Sequence, residues 1–505
     1  MSVLSLLGLS EILLLLIPLL GVAPPIGVTL PNAAPPDPAA EAARFETVSR
    51  QLDPGGVLYG YVSVDGDLTA IGGYLNSFMD ELRKVEQGVP PINVPALLKI
   101  TGLDAVSAVG FSSKRIGDGF RNKSYVHVPN GRKGLLRILA GESKPFEVVK
   151  LAPAGTDIAI EQDLNLKVAY EAIQEAMTSV MGEQGKAMVQ GAVSEPMPPF
   201  PFTLEKILAD MDTQVTIIVD ANPAKMVAVP DAGGLEIPQM SAAILIDGLG
   251  WIADDVAKVF EPMLAQGGPG APPFKVIKDA NWVGMQLSIE AAGFGREEKE
   301  ILTIFGGQSP LLVHHRPSGK LILATGKEFA DKLFAPKPGL AKDPVFQKTM
   351  QGLPMEGTGL SYFSPDTFRI LREALEKLND LENDKEHERD DGLMATTLIN
   401  LFLPKNARGE GSVTTNTKEG MLTVSNSAHS QKTTLLMGGV APVLLVPWMT
   451  FSSMDDEAQE GPVPQAKGEP IIGPPDEQRP DRGNFEREGD WFSSGPVVSI
   501  ERGAL

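Results

Sequence analysis

The sequence predicts an α+β fold, with helices packed on the faces of largely antiparallel meander sheets. Three observations carry this. Short apolar or alternating strands are repeatedly followed at once by amphipathic helices. Turn-separated strand pairs lie between these strand–helix units. Over 505 residues, 43% hydrophobic and 21% charged side chains match an ordinary folded protein rather than a disordered or polytopic membrane chain. The length exceeds what one core usually organises, so two or three domains or a set of repeated units are expected.

Four strand–helix units are clear. Val57 to Val64 reads as a strand and Asp65 to Asp67 as turn and N-cap, while Leu68, Ile71, Leu75, Met79, Leu82 and Val85 form one helical face. Asp157 to Ile160 precedes a stripe of Leu166, Ala169, Ile173, Met177 and Val180. Ala242 to Ile246 turns at Asp247 to Gly250 into Ile252, Val256, Val259 and Met263. The strand Gly359 to Phe363 runs into Ser364 as N-cap and Pro365 at the first helical position, ahead of Phe368, Leu371, Leu375 and Leu378. A shorter relative follows Leu321 to Ala324, where Thr325 and Glu328 have capping-box spacing before Phe329 and Leu333. Hairpins are expected at Val106 to Ser113 with Phe120 to Val128, turning at Gly117 to Gly119, and at Val413 to Thr417 with Met421 to Ser425. Val215 to Val219 is a further strand. Gly182 to Pro201 and Gln266 to Pro273 read as loops, and the charged run Asn379 to Asp391 as a helix end or connector.

This pattern divides the chain into an export signal or N-terminal anchor with a Pro/Ala-rich spacer (1–41), α+β regions at 42–150, 151–340 and 341–432, an apolar helix (433–451) and an acidic, Pro- and Gly-rich disordered tail (452–505). The unbroken apolar run Ile12 to Ala23 has signal-peptide length, although Glu11 is the only charge before it and Pro24 and Pro25 follow Ala23. Thr433 to Phe451 carries no charge and approaches a membrane span, but holds Gly438, Gly439, Pro442 and Pro447; a core helix and a membrane anchor both fit it.

A formal charge of -20 opposes nucleic-acid binding through phosphates, and the absence of cysteine removes thiol chemistry and disulfides. Asp247-Gly248-Leu249-Gly250-Trp251 imitates a phosphate-binding turn, but the fingerprint is short and lacks a parallel frame, so a plain tight turn is expected. His314 and His315 sit next to each other on a strand, facing opposite sides, which leaves one of them solvated. His387, with Glu386, Glu388, Asp384 and Asp391 near by, reads as a solvated charge run. His127 and His429 have no sequence-local partner. Serine-elbow and phosphate-loop motifs are missing, so a hydrolase would need Ser, His and Asp from distant positions. No residue is assigned a catalytic, cofactor-binding or metal-ligating role, and no cofactor is expected. Met197 to Phe202, with Pro198, Pro199 and Pro201, either offers apolar side chains to a partner or packs back as a loop.

The strand–helix units, the segment Ala152 to Asp157, Ile246 to Gly250 and the hairpin segment Gly411 to Thr417 together resemble a family of exported bacterial proteins defined by a domain of unknown function, over residues 50–450. The resemblance implies export and a modular α+β fold, and brings no catalytic residues with it. The expected function is a non-enzymatic binding or scaffold protein of the bacterial envelope, in the periplasm or anchored through either apolar segment. Its partner would be an envelope protein, peptidoglycan or lipid. The alternatives are a hydrolase with a site assembled from distant residues, and a carrier of apolar molecules marked by a continuous hydrophobic cavity between sheet and helices.

Overall fold

A computed structural model describes residues 37–85, 93–229, 234–266, 272–290, 292–383, 396, 399–400, 403, 405 and 408–433. From the amino end, α1 (Pro38–Ser49) leads into a strand–helix–strand–strand unit: β1 (Leu58–Ser63), α2 (Asp67–Val85), α3 (Val94–Thr101), β2 (Ala108–Ile116) and β3 (Gly119–His127). After β4 (Lys144–Pro145) and α4 (Val148–Leu151), a second unit comprises β5 (Ile158–Asn165), α5 (Leu166–Met181), α6 (Glu183–Ser194), α7 (Leu204–Asp210), β6 (Asp212–Ala228) and β7 (Glu236–Ile246). The helix α8 (Gly250–Gln266) and β8 (Phe274–Lys278) connect to a third: β9 (Trp282–Leu287), α9 (Arg296–Ile304), β10 (Leu311–His315) and β11 (Lys320–Ala324). Then α10 (Lys327–Phe334), α11 (Pro344–Thr349) and β12 (Glu356–Gly357) precede the fourth: β13 (Gly359–Phe363), α12 (Pro365–Asn383), β14 (Glu410–Thr417) and β15 (Gly420–Ser427).

All four units share one 13-stranded sheet, in the order β1-β2-β3-β15-β14-β13-β5-β6-β7-β11-β10-β9-β8, with every pairing antiparallel. Within each unit the strands lie side by side in chain order. The first and fourth units meet through β3 and β15, the second and third through β7 and β11, and the two pairs join through β13 and β5. Each unit thus abuts its partner in reverse order, the arrangement of a two-fold axis normal to the sheet. The 42–150, 151–340 and 341–432 stretches all contribute strands to it, the last between the other two. The expected α+β class with antiparallel meanders is what the chain forms.

Antiparallel partners point to the same side, so register divides the side chains between two faces. On the back face, Ala159, Ile218, Ala243, Ile322, Val313, Leu360, Tyr362 and Val413 build the main core, roofed by Val148 of α4, Phe329 and Leu333 of α10 and Phe346 of α11. Farther along that face, Val48 and Leu52 pack over Gly110, where an added Cβ would meet their methyl groups. The front face carries α2, whose Leu68 packs with Val109 and Val126, and the connector α8, which packs with Met285 and Leu312.

The cap of α12 is as the sequence predicts. Thr367 N donates to Ser364 Oγ at 3.1 Å, and Ser364 Oγ donates to Asp157 Oδ1 at 2.7 Å. Three expectations change. The strand–helix copy at Ala242 to Met263 is not a unit of its own, because its strand is β7, the last of the second unit, and its helix is the connector α8. Gly182 to Pro201 is not all loop, because α6 occupies Glu183–Ser194 and folds back on α5 with Gly182 at φ 65 between them. Thr325 does not cap α10, which starts after Gly326; Thr325 stays in the ladder, donating its N–H to the Ala242 carbonyl and accepting from Ala242 N at Oγ1 (3.1 Å). Residues 434–451 of the expected membrane-spanning or core helix, the tail, residues 267–271 of the expected Gln266 to Pro273 loop and Ile12 to Ala23 lie outside the described residues. Among the described residues no helix is long and apolar enough to cross a membrane.

Candidate functional site

One row of paired residues crosses the front face. From β5 outward it reads Ile160, Ile217, Ile244, Leu323, Leu312, Met285 and Val276, each directly opposite the next. In the other half of the sheet the same row reads Ser361, Ser412, Ser425, Asn122 and Ser113. One level of one sheet is therefore polar from β13 to β2, ending on Leu58 at the β1 edge, and apolar across the second and third units.

The two halves are finished differently. Over the polar row the chain covers itself, with Gln431 N donating to Ser113 Oγ (3.0 Å) and Gln431 Nε2 to Ser124 Oγ (2.6 Å). Over the apolar row a groove of about 680 Å³ stays open. Its floor is Ile244, Leu312, Leu323 and Met285; Val256 and Phe260 of α8 form one wall, and Phe200, Phe274 and Phe305 complete the rim. Ile244 is 38% exposed and Leu323 41%, on inner strands of a 13-stranded sheet where such side chains are normally covered. None of the described lining residues is charged, and the one hydroxyl among them, Thr325, is already bonded to Ala242 N.

Local chemistry sets these walls. The turn at Asp247 to Gly250 uses Gly248 at φ 73, and Gly250 starts α8 in a space where an added Cβ would lie 2.2 Å from the His314 ring. The glycines thus serve close packing, as the tight-turn reading expects. Met197 to Phe202 packs back onto the protein, against α8: Phe202 is buried against Trp251 (ring centroids 5.4 Å), and Phe200 stacks on Phe202 (5.3 Å, 11°) to reach the groove rim.

His314 and His315 do not share one site. His314 Nδ1 lies 3.0 Å from Asp254 Oδ2 on the front face, while His315 Nδ1 lies 2.8 Å from Ser318 Oγ on the back. The sheet separates the acid–base pair from that hydroxyl. Neither histidine is solvated as the sequence predicts: the His314 side chain is 18% exposed, and His315 is 7% exposed between Trp282 and Phe334. Burial lowers the pKa of His315, as it does for His127, whose Nδ1 meets the Glu419 carbonyl at 3.1 Å. His429 follows β15, with its carbonyl accepting from Asn122 Nδ2, and His387 lies outside the described residues.

A buried polar network, unmarked in the sequence, lies on the back face. Glu161 accepts from Val148 N, Glu147 N and Gln214 Nε2, and burial pushes its carboxyl up to about 7 against those donors. Lys320 beside it is held charged by Asp247 and Glu147 in spite of its burial. Both oxygens of Glu161 and the ammonium of Lys320 are engaged by groups of the fold itself, so the network reads as structural. No protein-family model, curated protein or solved structure matches this chain, and its functional reading rests on the geometry above.

Proposed function

We propose that the chain is a non-enzymatic binding protein that holds an uncharged apolar molecule, such as an acyl chain or fused ring system, in the front-face groove. The observation that carries this is the uncharged lining of about 680 Å³ with Ile244 and Leu323 left open on its floor. Its size falls within the range of small-molecule sites, and burying an apolar surface there is favourable at about 25 cal/mol per Å². The test is titration of the full chain with the fluorescent apolar probe N-phenylnaphthylamine, beside Leu323→Asp and Ile244→Asp. A carboxylate on the groove floor should weaken binding at least about tenfold, while stability changes by only about 1 kcal/mol because both positions are partly exposed. Unchanged affinity in both variants contradicts the reading.

The same proposal places the chain in the bacterial envelope after export and in the family it resembles, supported by the apolar run Ile12 to Ala23 and the motifs that carry the resemblance. An apolar cargo suits a lipid-rich compartment. Cell fractionation with N-terminal mass analysis tests the placement, and an unprocessed protein in the cytosol overturns it without touching the groove reading.

A further inference from the structure

A second cavity, of about 740 Å³, lies among β2, β3, α11 and β15, in the half of the sheet that lacks the apolar groove. Three cations line it, Arg121, Lys348 and Arg408, together with one carboxylate, Asp118. Their local balance of three positive charges against one negative stands out in a chain of net charge -20. The Arg121 guanidinium is seated by the fold. Arg121 Nη2 donates to the Gln351 carbonyl at 2.6 Å and Arg121 Nε to Asn426 Oδ1 at 3.3 Å, fixing the plane of the group. Arg408 pairs with Asp118 at 3.0 Å, where Asp118 is 82% exposed. Glycines make the room: a Cβ at Gly352 would lie 2.6 Å from Arg121 Nη2, and one at Gly119 would lie 2.5 Å from Arg408 Nη1. Lys348 sits in the last turn of α11 and forms no ion pair among the described residues. The remaining lining combines polar Thr349, Gln351, Asn426 and Ser427 with an apolar side that includes Ile116 and Val345, both exposed, and Pro344.

The geometry points to a binding site for a small organic oxyanion, whose phosphate or carboxylate head meets Arg121, Arg408 and Lys348 while its apolar body lies on Ile116 and Val345. A fixed guanidinium such as that of Arg121 suits the planar, multidentate recognition of such heads. The site is independent of the front-face groove. Calorimetric titration of the full chain with phenyl phosphate, beside inorganic phosphate and phenol, tests it. Phenyl phosphate should bind more tightly than either, and more weakly as salt rises. The K348Q/R408Q double variant should lose at least about tenfold in affinity, in line with removal of charge-assisted hydrogen bonds. Lys348→Gln alone changes an exposed side chain that the fold does not need, and should weaken binding by itself. Asp118→Asn removes the competing carboxylate and should tighten binding about twofold to fivefold. Leu323→Asp should leave it unaltered. No binding of phenyl phosphate at millimolar concentration, or equal affinity in the parent and K348Q/R408Q, overturns the proposal. Inorganic phosphate binding as tightly as phenyl phosphate overturns its apolar half.

Discussion

At the residue scale, the decisive side chains are those whose surroundings contradict their chemistry. Glu161 is one: burial raises its carboxyl from 4.5 to about 7, although three N–H groups face it. A carboxyl with a folded pKa above its unfolded value contributes stability that is fully present below the unfolded pKa and lost as pH rises through the folded one. Relative to Glu161→Gln, the parent should therefore lose stability between roughly pH 4.5 and 7.5, by about 3 kcal/mol at most. Urea unfolding of both proteins at about pH 5 and pH 8 checks the sign; a difference that does not change with pH contradicts it. The opposite orientation of His314 and His315 was legible, since strand periodicity dictates it. Their burial was not, because it depends on Asp254, Trp282 and Phe334 arriving from other elements.

At the scale of elements, start signals written in adjacent residues were readable and those shared with distant strands were not. Ser364 and Pro365 announce α12, and the structure adds that Ser364 Oγ also serves the buried Asp157 across the seam between the second and fourth units. Ser364→Ala removes a cap and leaves a buried carboxylate short of a donor. It should cost about 2 kcal/mol in chemical denaturation, and a loss below about 0.5 kcal/mol would mean that the seam does not depend on it. Thr325 shows the converse, since its capping-box spacing was real but β7 claims both its backbone and its hydroxyl. The third unit was the hardest to see. Its first strand carries Gly284, where a Cβ would lie 2.2 Å from the Leu312 carbonyl oxygen, and α9 begins with the charged run Arg296, Glu297, Glu298 and Lys299. Both obscure the strand and the apolar helix stripe that mark the other units.

At the scale of the whole molecule, the strand–helix starts of the first, second and fourth units were legible, whereas the third unit and the single sheet that joins all four were not. Insertion of the fourth unit between the first and second depends on long-range pairing that no local pattern encodes. The apolar groove shares this origin. Ile160, Ile217, Ile244, Leu323, Leu312, Met285 and Val276 are scattered along the chain and become one strip only through register. The signal that was available is two-sided apolarity: Ala242 to Ile246 and Leu321 to Ala324 are apolar on both faces, which an antiparallel strand with one solvated face does not need. The quasi-symmetric sheet thus presents an apolar site on one half, while the other half covers its polar row with Gln431. The most direct test is organic extraction and mass spectrometry of the full chain purified from cells without detergent, in parallel with Leu323→Asp. An apolar molecule recovered in near-stoichiometric amount from the parent and lost from the variant is the predicted result; none in the parent, or equal amounts in both, would contradict the account.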